Sequence, residues 1–338
     1  MLILSPILSL IIMLHIGHPF QAMPETNDWK HRLDSLSHSK DFNGVIMLAQ
    51  GDSVLFRAVR GYADLSMKRE LKATDRFVIG SISKQITAVL IMKLIEKTEI
   101  DPHDRISRYL PELNQSWADT VTVHHLLSHT HGIAEMDAPL QFEPGSQFQY
   151  SQLGYELLAV IAERITQQSF EELSTQLFRE AEMPETMHPT NRTFLNLVKA
   201  YTTAEDGSAH LETNSLMYDV AAGGFVSTAQ DLLQWTRLLQ TGRLIKEASL
   251  QKMIRPYALR NHPVLGALNY GYGLTFLPGE ESVQVGAFGY VPGFASACFY
   301  YPEGKYTLVV LENVAKTPER FKNTFSIHTK AMEIVKHM

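Results

Sequence analysis

Ser81 and Lys84 are the side chains in this sequence whose types and spacing most directly suit chemistry. They stand in Phe77-Val-Ile-Gly-Ser81-Ile-Ser-Lys84-Gln85. Residues three apart on a helix share a face, with Cβ atoms about 5–6 Å apart. A serine hydroxyl is a weak nucleophile until a base or cation lies beside it. A lysine withdrawn from water gives up its proton more readily, because desolvation penalises the ammonium. A helix N-terminus adds positive potential and unpaired N–H groups. The chemistry implied is acyl transfer to serine. Taken alone, Ser-x-x-Lys recurs by chance, and a capping serine with a solvated lysine gives the same letters. The weight therefore rests on the surroundings.

The elements that must position this pair can be read from periodicity. Residues 83–97 carry Ile86, Val89, Leu90, Ile91, Leu94 and Ile95 at helical spacing, apolar on more than one face, which predicts a helix buried between layers. Residues 44–49 and 53–58 flank Gln50-Gly51-Asp52 and predict a β-hairpin that ends at 61–64. Helices are expected over 123–128, 154–166, 169–181 and 228–239, with Pro and Gly between them. Strands are expected over 272–276, 295–301 and 306–311, the last two joined by a turn at Pro302-Glu-Gly304. The tail, 317–338, reads as helical. Strands at both chain ends with helices between predict an α+β fold: one antiparallel sheet closed by the two termini, with an inserted helical lobe over about 98–240.

A series of further segments, in order along the chain, resembles the serine β-lactamase and penicillin-binding-protein family, in particular class C β-lactamases and their relatives. These are Phe42-Asn-Gly-Val, Gly61-Tyr-Ala-Asp64, the Ser81 segment, Tyr109-Leu-Pro-Glu112 and Leu126-Leu-Ser-His-Thr-His-Gly-Ile133. Glu143-Pro-Gly-Ser-Gln-Phe-Gln-Tyr150-Ser-Gln-Leu-Gly-Tyr155, Ala222-Gly-Gly-Phe-Val-Ser-Thr228 and Val291-Pro-Gly-Phe294 continue it. The resemblance implies a β-lactamase/transpeptidase-like fold and a cofactor-free hydrolase working through an acyl-enzyme on Ser81. It assigns proton transfer to Lys84 and Tyr150 as one coupled unit. Gln152 stands where the family has an asparagine that binds a substrate carbonyl and orders the lysine. Ala287 stands where the family places a Lys or His that holds a substrate carboxylate. Gly289 is kept, and the oxyanion donors map to the backbone N–H groups of Ser81 and Tyr290. A backbone donor survives a side-chain change. The expected substrates are therefore neutral esters or peptide-like amides rather than β-lactams. A β-lactamase or D,D-carboxypeptidase is the nearer alternative, and a non-hydrolytic sensor on the same fold is the more distant one.

The rest of the composition narrows the field. The chain has 338 residues, is 45% hydrophobic and 20% charged, and carries a net charge of −6. Nothing in that balance suits neutralising phosphates, so nucleic acid is not an expected partner. Residues 2–16 form an apolar run too short to span a bilayer comfortably. They predict a secretory signal peptide over 1–22, cleaved near Ala22, with the remainder, 23–338, exported to the periplasm or beyond. The lack of Lys or Arg before the run, and Phe20 near the cleavage point, leave an uncleaved anchor or a misassigned start codon as the other readings. Membrane association, in every case, would rest on that segment alone. His124, His125, His129 and His131 crowd one stretch, with His125 and His129 on one face if helical. No carboxylate or cysteine completes a ligand set there, and no metal is expected. Trp117, Trp235 and the lone Cys298 read as core residues.

Overall fold

The computed structural model describes residues 28–190, 196–213, 219–277, 284–316 and 321–338. Its centre is an eight-stranded antiparallel sheet. From edge to edge the strands are Ser53–Arg60, Gly44–Gln50, Tyr306–Glu312, Phe294–Tyr301, Val285–Val291, Thr275–Phe276, Gly266–Tyr270 and Ala258–His262. The first hairpin turns at Gly51, whose φ of 55° suits glycine. Val45 lies opposite Leu311 and Met47 opposite Val309, so the two ends of the chain close the sheet together. This is the arrangement the sequence predicts.

Side chains alternate across a strand, and here both faces are covered. Ile46, Leu48, Phe299, Leu308 and Val310 pack with Leu33 and with Phe325, Met332 and Val335, from or beside the terminal helices Asp28–Ser37 and Ser326–Lys336. Val45, Met47, Cys298, Val309 and Leu311 share the other core with Ile86, Leu232 and Trp235. That core contains helix Ser83–Glu96, in which eleven of fourteen residues are buried, as its many-sided apolar pattern requires. Helices Leu153–Thr166, Phe170–Glu180 and Ala229–Gln240 surround it. The expected helix starts at 169 and 228 are caps: the Ser169 hydroxyl accepts from Glu172 N in a capping box, and Thr228 accepts from Asp231 N.

Several sequence expectations change. The strand expected over 272–276 shortens to Thr275–Phe276, because Gly273 (φ 71°) passes against the buried helix, where a Cβ would lie 2.7 Å from the Lys84 carbonyl oxygen. The segment after 98 is not wholly helical: Ala200–Thr203 pairs with Ala209–Glu212 and, in parallel, with Val314–Lys316. The strands Ala258–His262 and Gly266–Tyr270 have no counterpart in the sequence reading. The tail splits into Phe321–Thr324 and Ser326–Lys336. The expected signal peptide lies outside the described residues. Among those described, no helix is long and apolar enough to cross a membrane.

Two glycines let the start of the buried helix touch the sheet. Gly80 has φ 54°, and a Cβ there would come within 2.5 Å of Tyr290 N. A Cβ on Gly289 would lie 2.0 Å from the Ile79 carbonyl oxygen and 2.3 Å from the Ser296 hydroxyl, which donates to that same carbonyl at 2.8 Å. Gly289→Ala should therefore force backbone apart. Overpacking of this kind costs about 1–3 kcal/mol. Denaturant unfolding should show a loss of roughly 2 kcal/mol or more; unchanged stability would contradict the close approach.

Candidate active site

Ser81 sits in the single 3₁₀ turn Gly80–Ile82 that leads into helix Ser83–Glu96. Lys84 lies in the helix's first turn and is buried, with 1% relative exposure. A buried ammonium needs acceptors in place of water. Lys84 Nζ finds three: the Ala222 carbonyl at 2.7 Å, the Gln152 side-chain oxygen, and the Ser81 hydroxyl at 3.4 Å. It also lies over the rings of Tyr150 at 4.6 Å and Tyr155 at 5.5 Å. Desolvation pushes the Lys84 amine below its ordinary range, against the pull of Tyr150.

The Tyr150 phenol faces both the Ser81 hydroxyl and the Lys84 amine. Burial alone would raise it. The Lys84 ammonium and the Arg260 guanidinium outweigh burial and bring it below the ordinary phenol value. The ring is held edge and face by His129 at 4.5 Å and Tyr270 at 6.4 Å between centroids. His129 takes a left-handed backbone (φ 58°), accepts from Ser151 N through Nδ1 at 3.3 Å, and is kept neutral by burial and then by Lys84. It lies beyond helix Val123–Leu127, so it does not share a helical face with His125. His125 instead completes a capping box with Thr122, His124 meets the Tyr272 hydroxyl at 2.7 Å, and His131 accepts from Ile133 N at 2.9 Å.

The Ala222 carbonyl is fixed by its neighbours. Val220–Gly224, Val-Ala-Ala-Gly-Gly, is a single wide π-helical turn. Thr87 donates to the Ala221 carbonyl at 2.6 Å, Ala222 N donates to Glu156 at 3.1 Å, and Phe225 N donates to Ser83 at 3.2 Å. Burial and then Asp219 raise the Glu156 carboxyl to about 7.

The structure brings Ser81, Lys84, Tyr150 and Gln152 into contact, with Tyr290 N beside Gly80. Ala287 and Gly289 lie on strand Val285–Val291 at the same site. A cleft of about 390 Å³ opens over Ser81, Tyr150, Gln152, Arg260, His262 and Tyr290. Ala287 is buried in an adjoining recess and offers no polar group. Sequence reasoning did not single out Glu156, Arg260 or His262. Glu156 could have been noticed two residues after Gly154, in the first turn of its helix. The other two lie on the unforeseen edge strand.

The chain belongs to the beta-lactamase family: the family model described as Beta-lactamase matches residues 29–331. That family has the β-lactamase/transpeptidase-like fold and comprises serine hydrolases. The chain is similar to penicillin-binding protein 4* of Bacillus subtilis (strain 168), at 27% identity over 85% of this chain and 71% of that protein. It spans roughly two thirds of the length of the curated relatives it matches. Among solved structures it resembles the D-amino acid amidase from Ochrobactrum anthropi SV3 (TM-score 0.77, 23% identity, 92% of this chain and 98% of that one). It also resembles EstCE1, a hydrolase with promiscuous acyltransferase activity (TM-score 0.75, 20% identity, 91% and 98%).

Glu156 gives the site a pH-dependent contribution to stability. Its folded pKa of about 7 lies above the ordinary glutamate value, so the folded state holds a proton the unfolded state has lost. The contribution is present below about pH 4 and disappears as pH rises through about 7. The stability difference between wild type and Glu156→Gln should shift against wild type by on the order of 3 kcal/mol over that window. Parallel stability curves for the two proteins would refute this.

Proposed function

We propose that the protein is an exported serine hydrolase that forms an acyl-enzyme on Ser81 and cleaves an ester or a peptide-like amide. The observation that carries this reading is the buried Lys84 amine beside the Ser81 hydroxyl, with the Tyr150 phenol against both. Ser81 Oγ attacks the substrate carbonyl carbon as its proton passes to the Lys84–Tyr150 pair. The developing oxyanion is received by the N–H groups of Ser81 and Tyr290, each such donor being worth roughly 3–4 kcal/mol. The carbonyl-to-leaving-group bond breaks, and the leaving group takes the proton from the pair. Water then attacks the acyl-enzyme, gives a proton to the same pair, and releases the acid as that proton returns to Ser81. Gln152 holds the Lys84 amine through its oxygen and leaves its amide nitrogen for a substrate carbonyl.

Ala287 sets this site apart from a β-lactamase, in which this strand carries the cation for a substrate carboxylate; here the strand offers only backbone at that place. The apolar run at the start of the sequence supports export.

Incubation with a fluorophosphonate should add one label at Ser81, read by peptide mass spectrometry, and Ser81→Ala should abolish both labelling and release of 4-nitrophenol from short-chain esters. Tyr150→Phe should lower kcat/KM by about 10²–10⁴-fold, the usual reach of general acid–base catalysis. A single labelling event followed by an acyl group that persists for hours would point to a sensor. A folded protein that is neither labelled nor active would overturn the proposal.

A further inference from the structure

The family's usual cation is missing at Ala287, yet the cleft is not without positive charge. Strand Ala258–His262 forms the edge of the sheet. Alternation sends Leu259 outward, 58% exposed, and turns Arg260 and His262 toward the cleft, where both line the wall with Ser81. The Arg260 guanidinium lies 4.2 Å from the centre of the Tyr150 ring. Among the described residues no carboxylate is paired with it, whereas Arg69 pairs with Asp75, Arg76 with Glu185 and Arg237 with Asp52.

The surroundings suit a guest anion. Phe288 and Pro263 are apolar neighbours on the cleft wall. His262 stacks on Phe288 with ring centres 5.3 Å apart and accepts from Val264 N through Nδ1, which leaves its ring proton on Nε2. Burial and then Arg260 hold its pKa near 3, so it is a neutral donor that does not repel the guanidinium. Arg260 presents several N–H groups in a planar fork that suits a carboxylate. An unpaired, half-buried guanidinium stacked on a reactive-site tyrosine is a charge awaiting a partner.

We infer that Arg260 is the specificity-determining anion anchor of this cleft, so that the preferred substrates carry a carboxylate or similar anionic group beside the scissile carbonyl. The inference rests on the hydrolase reading and sharpens it. The expectation of neutral substrates drawn from Ala287 alone is replaced, because the charge comes from the edge strand and not from the strand of Ala287.

The test uses two matched ester pairs. In one, a carboxylate or its methyl ester sits in the acyl part; in the other, it sits in the leaving group. Wild type should favour the anionic member of one pair by about tenfold to a hundredfold in kcat/KM, the scale of a hydrogen bond to a charged group. The pair that responds tells which side of the bond the anion occupies. Arg260→Gln should erase the preference, and Arg260→Lys should keep part of it. If Arg260 merely tuned Tyr150, both members would slow equally and the ratio would stay fixed, which overturns the inference; so does a wild type with no anionic preference in either pair. A binding arm separates this from failure of the hydrolase reading. Calorimetry on Ser81→Ala should show tighter binding of the carboxylate member, lost on adding Arg260→Gln. That result without any wild-type turnover would sink the hydrolase and uphold the anchor. Equal binding of both members would sink the anchor.

Discussion

A lysine amine held away from water is the constraint around which this site is built. Removing an ammonium from solvent costs several kcal/mol unless its N–H groups are matched. Lys84 is matched by one backbone carbonyl, one amide oxygen and one hydroxyl, from three separate parts of the chain. Two of the residues that supply those acceptors are themselves tied down. Ala222 is held through Thr87, Ser83 and Glu156 on two helices. Gln152 opens helix Leu153–Thr166 as its N-cap residue. The cost of burial then becomes a lowered proton affinity, which is what a serine nucleophile requires of its neighbour.

The second demand is proximity between helix and sheet. In the proposed mechanism the N–H of Ser81, at the start of the helix, and the N–H of Tyr290, on the strand, can serve one oxyanion only if the two backbones nearly touch. Glycine at 80 and 289 permits this, and Ser296 locks it through the Ile79 carbonyl. Behind Tyr150, the ring of His129 and the aromatic pair Phe148 and Tyr270 fill the space that water would otherwise occupy. A neutral histidine in that place adds packing without a competing charge.

Much of this was legible in the residues. The helix carrying Lys84 announces itself because it is apolar on several faces, and the hairpin at Gly51 and the closing strands announce themselves by β-branched runs around turns. The ordered segments tied Tyr150 and Gln152 to the same site across nearly seventy residues. Arg260 and His262 stayed hidden for a physical reason. Their strand, Ala258–His262, is a half-exposed edge with alternating polar residues and a preceding proline, so it looks like loop. Its place beside Ser81 is set by pairing with Gly266–Tyr270, a long-range fact that no local pattern carries. Glu156 was hidden differently. An acid in the first turn of a helix is ordinary; its burial against Ala222 depends on a distant turn. In the histidine cluster the chain leaves the helix after Leu127, and each ring goes to its own partner.

The central claim is that Lys84 and Tyr150 share protons as one unit, with a proton leaving the pair far more readily than from exposed side chains. Titration of ¹³C-labelled lysine and tyrosine side chains by NMR tests it directly, with Lys84→Met and Tyr150→Phe assigning the signals. The account predicts a first proton lost from the pair well below the ordinary values of both groups, and a shift in each partner's titration when the other is removed. Lys84 and Tyr150 titrating independently, together with the exposed lysines and tyrosines, would contradict it.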